Sequence, residues 1–500
     1  MSTINSAVTA ANSSANSQLQ QAAQSIISGS TGNSSMDVNS LVTALVNAKT
    51  AGQAAALTAQ QTSDNTQISA YGALSAALSA LQAGVTTLSN GSLQNTFTAT
   101  MSGTGITATA GAGAVPGSYS INTTQIATSQ SLSSAAFGAS TALGTGTMTL
   151  SLGSQSFSVN VDGTNNTLSG IAAAINTATG NPGIVASVVN GSDGAHLVLS
   201  STPTGAANTI SVAVSNVTGD NGLSSLGVTS TASTTGGQSS FTSANSSAAW
   251  KQSTAAQDAT FTINGIAATS ASNTVTSAIT GVTVNLTSAA AGTTQTLTIA
   301  TNTQSQASTI NNFVTLYNTL VTTMNTLSSF SSGASSQGPL LGDSTLNTIR
   351  NALASVVASG VSSNGSTVNL ASIGVSLQAD GTLQVDNSAL NTALQSNPTG
   401  VAALFNSTNG IGQQLTTDIT NYTQTGGMIA ARTTALNNDL TSVSTQQTNL
   451  ANYTAQLTSQ YQAQFTALNT LMATMNSNSQ YLTQLFGGTN SAGALSSNKS

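Results

Sequence analysis

Apolar residues recur at helical spacing towards both ends of the chain and at every second position through its middle. The first helical stretch is "MDVNSLVTALVNAKT", residues 36–50. Asp37 is an N-cap residue, and Met36 and Leu41 occupy the two positions of a hydrophobic staple. Leu41, Val42, Leu45 and Val46 then form one stripe, with Lys49 where a cation suits the helix dipole. A second helical segment carries Leu74, Leu78, Leu81, Val85 and Leu88, stepping by four and three as in a coiled-coil seam. Ahead of both, residues 1–35 are small and polar and read as disordered.

The middle changes to period two. In "TMTLSLGSQSFSVNVDG" Met148, Leu150 and Leu152, then Phe157, Val159 and Val161, share a face. One helix, "TLSGIAAAINTA", interrupts the strands and offers Leu168, Ile171 and Ile175. "VASVVNGSDGAHLVLSS" reads as a hairpin turning at Asp193-Gly194. Residues 218–247, rich in Ser, Thr, Gly and Asn, read as a loop or hinge, and strands resume over 258–300.

Helical period returns with Ile310, Phe313, Val314, Tyr317, Leu320, Val321, Met324 and Leu327 on one face. A heptad register closes the chain through Leu436, Leu440, Val443, Leu450, Leu457, Tyr461, Leu468, Leu471, Met475, Leu482 and Leu485. Gln447, Thr454, Gln464 and Asn478 interrupt that seam; such polar positions weaken a coiled coil but can set its register. The pattern predicts a multidomain α+β protein. Both termini form an antiparallel helical, coiled-coil stalk, and strand-rich head domains are inserted between them.

The expected segments follow from these changes of period. They are a disordered N-terminal segment (1–35), N-terminal leg helices (36–92), a first head in two parts (93–135 and 236–300) and a second head inserted in it (136–235). A helical leg domain with short strands (301–430), a C-terminal coiled-coil leg (431–487) and a disordered tail (488–500) complete the chain.

Composition narrows the function. Only 3% of the residues are charged, against about 25% in typical soluble domains, and all eleven acidic residues are aspartate. Five scattered basic residues cannot track a phosphate backbone, so nucleic acid is excluded as a partner. A net charge of -6 spread over 500 residues steers no partner from a distance. Without cysteine there is no disulfide framework or thiolate metal site. No run approaches the roughly 20 apolar residues that span a bilayer, so membrane insertion is not expected. Residues 1–35 lack the features of a secretory signal peptide, so export would use another route.

Catalytic equipment is not apparent. The single histidine, His196, falls on a predicted strand after a turn and reads as a partly exposed strand residue. Asp380 suits a turn with Gly381, and Asp386 suits the cap of a following helix. No serine lies in a nucleophile elbow, and no series of acidic residues or histidines has the spacing of a metal or cofactor site. The chain is not expected to be an enzyme.

The residues resemble the flagellar hook-associated protein 2 family, the filament caps. "MDVNSLVTALVNAKT", "PGSYSINTTQIATSQSL", "TLSGIAAAINTATGNPGIVASVVNGSDGAHLVLSSTPTGAANTISV", "QDATFTINGIAATSASNTVTSAITGVTVNL", "FVTLYNTLV", "GPLLGDSTLNTIR" and "YQAQFTALNTLMATMNSNSQYLTQLF" carry the resemblance, in order and over almost the whole chain. The near absence of Glu, Lys and Arg departs from the family's habit, so its ion pairs do not transfer.

The resemblance implies a protein exported unfolded through the flagellar type III apparatus, with an export chaperone. A ring-shaped homo-oligomer would sit at the distal tip of the bacterial flagellum, next to flagellin and after the hook-filament junction proteins. It would hold emerging flagellin until it folds and inserts, and motility would depend on it. The expected filament-docking residues are Leu41, Val42, Leu45 and Val46 at one end, and Leu468, Leu471, Met475, Leu482, Leu485 and Phe486 at the other. The competing expectations are a surface adhesin binding mucin or host glycans, and another axial flagellar protein of the hook-filament junction.

Overall fold

The computed structural model describes residues 2–31, 37–330, 337–363, 366–406 and 408–486. Two units divide the chain: Met1–Ser89, Ile310–Leu390 and Ala403–Ser500 form the first, and Asn90–Thr309 with Asn391–Ala402 the second. The helices are α1 (Ser2–Thr31), α2 (Val38–Ser89), α3 (Leu168–Thr177), α4 (Thr303–Leu327), α5 (Ser344–Ala358), α6 (Asn387–Ser396), α7 (Pro398–Phe405), α8 (Ile411–Thr423) and α9 (Met428–Phe486).

In the first unit α2 is flanked by α1 and α9, both antiparallel to it. Ala22 of α1 packs on Leu41 and Ala44, Gln18 meets Asn47 at 3.1 Å, and Asn12 lies against Gly52. On α9, Leu457, Tyr461 and Phe465 pack on Val38, Val42 and Val46, while Leu450 and Val443 pack on Leu57. The broken seam position Gln447 donates to Gln61 Oε1 across the interface at 3.3 Å, which ties the register of α9 to that of α2.

Two expectations about this end are corrected. Residues 2–31 are helical, not disordered. Ala15 and Ala22, two turns apart and buried, let the backbones of α1 and α2 approach where larger side chains would hold them apart. Residues 36–92 hold one long helix rather than two, because the connecting "AGQAAALTAQQ" is made of helix formers. Its one glycine, Gly52, lies against the Asn12 side chain, which a Cβ there would displace. By length and composition α2 also reaches the range of a membrane-crossing helix, with a window of mean hydropathy 1.3. Its apolar face is nevertheless core, from Leu41 to Leu88. Met36 and residues 488–500 lie outside the described residues.

The rest of this unit is a compact helical core. Leu74, Leu78, Leu81, Val85 and Leu88 are buried, as are Ile310, Phe313, Tyr317, Leu320 and Met324 of α4. Phe313 meets Phe405 edge-on with ring centroids 5.8 Å apart. Asp343 caps α5 by accepting from Leu346 N at 2.9 Å, and it also accepts from the buried Tyr71 hydroxyl at 2.7 Å.

The second unit holds two strand-rich cores. One lies on a sheet of order Phe97–Met101, Thr293–Thr301, Gly117–Gln125, Ala259–Ile263, Ile266–Ser270, and on a three-stranded sheet of Thr274–Ile279, Val282–Leu286 and Ile106–Ala110. The other is built from a sheet of order Ser240–Ser243, Val228–Thr231, Ile210–Thr218, Thr145–Leu152, Gln155–Val161, and from Lys251–Thr254, Ser131–Ser133, Gly194–Ser201 and Ile184–Gly191. Leu168, Ile171 and Ile175 of α3 and the sole tryptophan, Trp250, complete that core.

The inserted head is therefore wider than expected: strands at 131–133, 240–243 and 251–254 belong to it, outside the 136–235 limits. Residues 218–247 are not a hinge, since they contain two of its paired strands. Their Ser and Thr content hides a short apolar set, Leu223, Leu226 and Val228, that is fully buried. The hairpin turns at Ser192-Asp193 rather than Asp193-Gly194, because Gly191 pairs directly with Gly194. Its edge strand is covered by side chains. Asn176 both donates to Ala186 O (2.7 Å) and accepts from Ala186 N (2.8 Å), as a neighbouring strand would.

Candidate docking face

The final turns of α9 continue past the start of α2. Phe465 is the last large side chain of α9 in the described packing with α2. From there to Phe486 about 30 Å of helix follows, at the usual rise of about 1.5 Å per residue. Leu468 (43%), Leu471 (57%), Met475 (62%), Leu482 (52%) and Phe486 (66%) are exposed, and Leu485 is half-buried. Met472 and Tyr481 broaden the stripe.

Three threonine hydroxyls of this segment are turned back on the helix. Thr470, Thr474 and Thr483 each donate to the carbonyl four residues back. No Asp, Glu, Lys or Arg occurs between Asp439 and Phe486. The large side chains exposed here are chiefly apolar, and burying one of this size is worth about 1.5–3 kcal/mol. The stripe has the spacing of a coiled-coil seam and lies open along one helix.

The sequence-predicted docking residues are thus split. Leu41, Val42 and Val46 are at most 4% exposed, and Leu45 is half-buried. They pack within the chain, so the expectation that they are free for a partner is corrected. The reason is geometric: α1 and α9 cover two sides of α2, and α9 runs on for about 30 Å past the start of α2. Leu468, Leu471, Met475, Leu482, Leu485 and Phe486 stay together on the uncovered length.

Phe465, Met472 and Tyr481 fall outside the strict heptad. An α-helix of 3.6 residues per turn drifts from a 3.5-residue seam, so the contact line passes through Phe465 where the heptad names Gln464. At this same end of the interface Asp37 accepts from Ser40 N and Ser40 Oγ at 3.1 and 2.8 Å, which holds its carboxyl below the usual range. It caps α2 as expected.

The other polar candidates have local duties. Asp380 accepts from Thr382 N at 2.9 Å and from its hydroxyl, and Asp386 accepts from Ser388 N and Ala389 N at the start of α6. Among the described residues no group of three or more His, Cys, Asp or Glu is placed to hold a metal ion.

Comparison with known proteins adds the family. The model of the flagellar hook-associated protein 2 N-terminus matches residues 34–130, and that of its C-terminus matches residues 256–477. Between them, residues 147–203 match the flagellin hook IN motif. Flagellar hook-associated protein 2 of Escherichia coli O157:H7 is 34% identical over 438 residues, covering 84% of this chain and 90% of that protein. The chain belongs to the flagellar hook-associated protein 2 family. B-type flagellar hook-associated protein 2 of Pseudomonas aeruginosa is 31% identical, over 83% of this chain and 88% of the relative. The crystal structure of the D1-D2-D3 domains of the flagellar cap protein FliD from Escherichia coli superposes with a TM-score of 0.61 at 32% identity. It covers 74% of this chain and 99% of that one.

Proposed function

We infer that this chain is a structural cap protein of the bacterial flagellar filament, positioned at the distal tip, where it promotes the folding and insertion of exported flagellin and prevents its loss. Family membership over most of the chain supports the cap role. The observation that carries the docking mode is the uncovered stripe from Leu468 to Phe486. Each copy inserts this stripe between apolar helices of the filament end or of neighbouring copies, in a ring-shaped homo-oligomer. The protein reaches the tip by flagellar type III export, as a partner of its export chaperone, and takes its place after the hook-filament junction proteins.

Work in this reading is mechanical rather than chemical. Docked legs hold the ring in place, and flagellin is retained beneath it until folded. A gene deletion examined by electron microscopy tests the role: short or missing filaments with unpolymerised flagellin in the medium are expected, and normal filaments would refute it. Complementation with the triple change Leu471→Ser, Met475→Ser and Leu482→Ser tests the face. Filaments should not be restored, although the protein is exported and Trp250 fluorescence shows a folded head.

A further inference from the structure

Both ring nitrogens of His196 face acceptors. Nδ1 lies 2.7 Å from the Ser134 carbonyl oxygen, and Nε2 lies 3.0 Å from Asp193 Oδ1. Neither acceptor has a proton to give, so each contact needs one on the ring, and a neutral imidazole carries only one. The geometry satisfies the imidazolium.

The surroundings are shaped to the pair. A Cβ on Gly191 would lie 2.7 Å from Asp193 Oδ1 and 3.3 Å from His196 Nε2. Gly194 (φ +138) leaves room for the Phe137 carbonyl, which a Cβ would meet at 2.8 Å. Phe137 and Ala195 exchange two main-chain hydrogen bonds, 2.9 and 2.8 Å, and Leu197 N donates to Ser134 Oγ at 2.9 Å. His196 therefore stands where the returning strand of the hairpin meets the segment 134–137.

The charged groups acting on the ring are Asp193 on the turn and, more weakly, Lys251 on the strand Lys251–Thr254. The packed segments 131–137 and 184–191 contain no titratable side chain. The Ser134 carbonyl first, and then Asp193, raise the imidazole above its ordinary 6.5 against the opposing effects of burial and Lys251.

We propose that His196 is a proton-operated latch of the inserted head: charged, it clamps the hairpin turn and the segment 134–137 together, and on losing its proton it releases one of them. Because folding raises the affinity of the ring for its proton, the clamp is complete below pH 6.5 and is lost as pH rises through the folded value.

The test uses the full chain, in which the one histidine gives one imidazole NMR signal. Its titration midpoint should lie above 6.5, and Asp193→Asn should lower it. Amide exchange at Phe137 and Ala195, corrected for its intrinsic pH dependence, should accelerate as the ring deprotonates, by about tenfold for each unit the folded pKa is raised. His196→Gln should remove that step, with Trp250 fluorescence reporting that the head is folded. If His196→Gln fails to fold, Asp193→Asn should instead move the exchange step to lower pH and make it smaller. A midpoint at or below 6.5, or an unchanged exchange step in the folded variant, overturns the latch.

Discussion

Asp343 joins three elements with one carboxyl group. It caps α5, accepts from Tyr71 of α2, and lies 3.9 Å from Arg432 Nε of α9. In a chain with so few charges, this node is built chiefly from hydrogen bonds, since Arg432 stands too far for a close pair. Tyr71→Phe should cost about 1 kcal/mol, one hydrogen bond, in chemical denaturation. Asp343→Ala should cost more, about 2–3 kcal/mol, because the cap is lost and the Tyr71 hydroxyl is stranded in the core. The same burial, with Asp343 beside it, pushes the Tyr71 phenol up to about 12, and burial alone does so for Tyr317. Above the ordinary 10.0 the unfolded chain ionises first, so stability should fall from pH 10 towards 12. Tyr71→Phe should make that fall shallower. Asn176 offers a simpler case. Asn176→Ala removes both bonds to Ala186 and bares the edge strand, so a loss of about 1–2 kcal/mol should be accompanied by self-association in sedimentation.

Along α9 the same helix is core at one end and surface at the other. Leu457, 8% exposed and packed on Val42 and Val46, should cost about 2–4 kcal/mol when changed to Ala. Leu471→Ser, about four turns further on, should leave the thermal midpoint of the free chain unchanged, since no described contact is lost. Comparing the two by circular dichroism separates internal seam from docking stripe. Equal losses would mean that the stripe is packed within the chain. Gln447 sits between these regimes. Gln447→Leu should strengthen the seam while removing the bond to Gln61 that marks its register. The link between α1 and α2 is of another kind, since Ala15 and Ala22 work by being small. Ala15→Leu should push α1 away from α2, seen as faster amide exchange confined to residues 2–31.

Across the whole molecule, 16 charged side chains among 500 leave a surface solvated by hydroxyls and amides. Many helical threonines satisfy their own hydroxyls four residues back, as at Thr433, Thr441, Thr448 and Thr458. Contacts between copies must then rest on apolar area and amide hydrogen bonds, neither of which salt screens strongly. Assembly of the purified protein, followed by light scattering, should change little between about 0.05 and 1 M salt, a range over which the screening length falls several-fold. Dissociation at moderate salt would show that the few charges carry the contacts.

Much of this architecture is legible in the order of the amino acids alone. The helical stripes at Leu74–Leu88 and Ile310–Met324 give each helix one apolar face, and both faces are buried in the core. Alternation marks strands such as 145–152 and 155–161, and Asp37 and Asp386 sit where caps are needed. Local chemistry, repeated within a few residues, determines such features. Long-range packing decides the rest. The small polar residues of α1 read as disordered in isolation, and are helical against α2. The strands at 228–231 and 240–243 are too short and polar to be read without the sheet they join. Leu41 and Leu471 look alike in the sequence, two apolar positions on terminal helices. One is buried because α1 and α9 lie over it, the other exposed because α9 runs on past the start of α2, and only the relative placement of whole helices contains that difference.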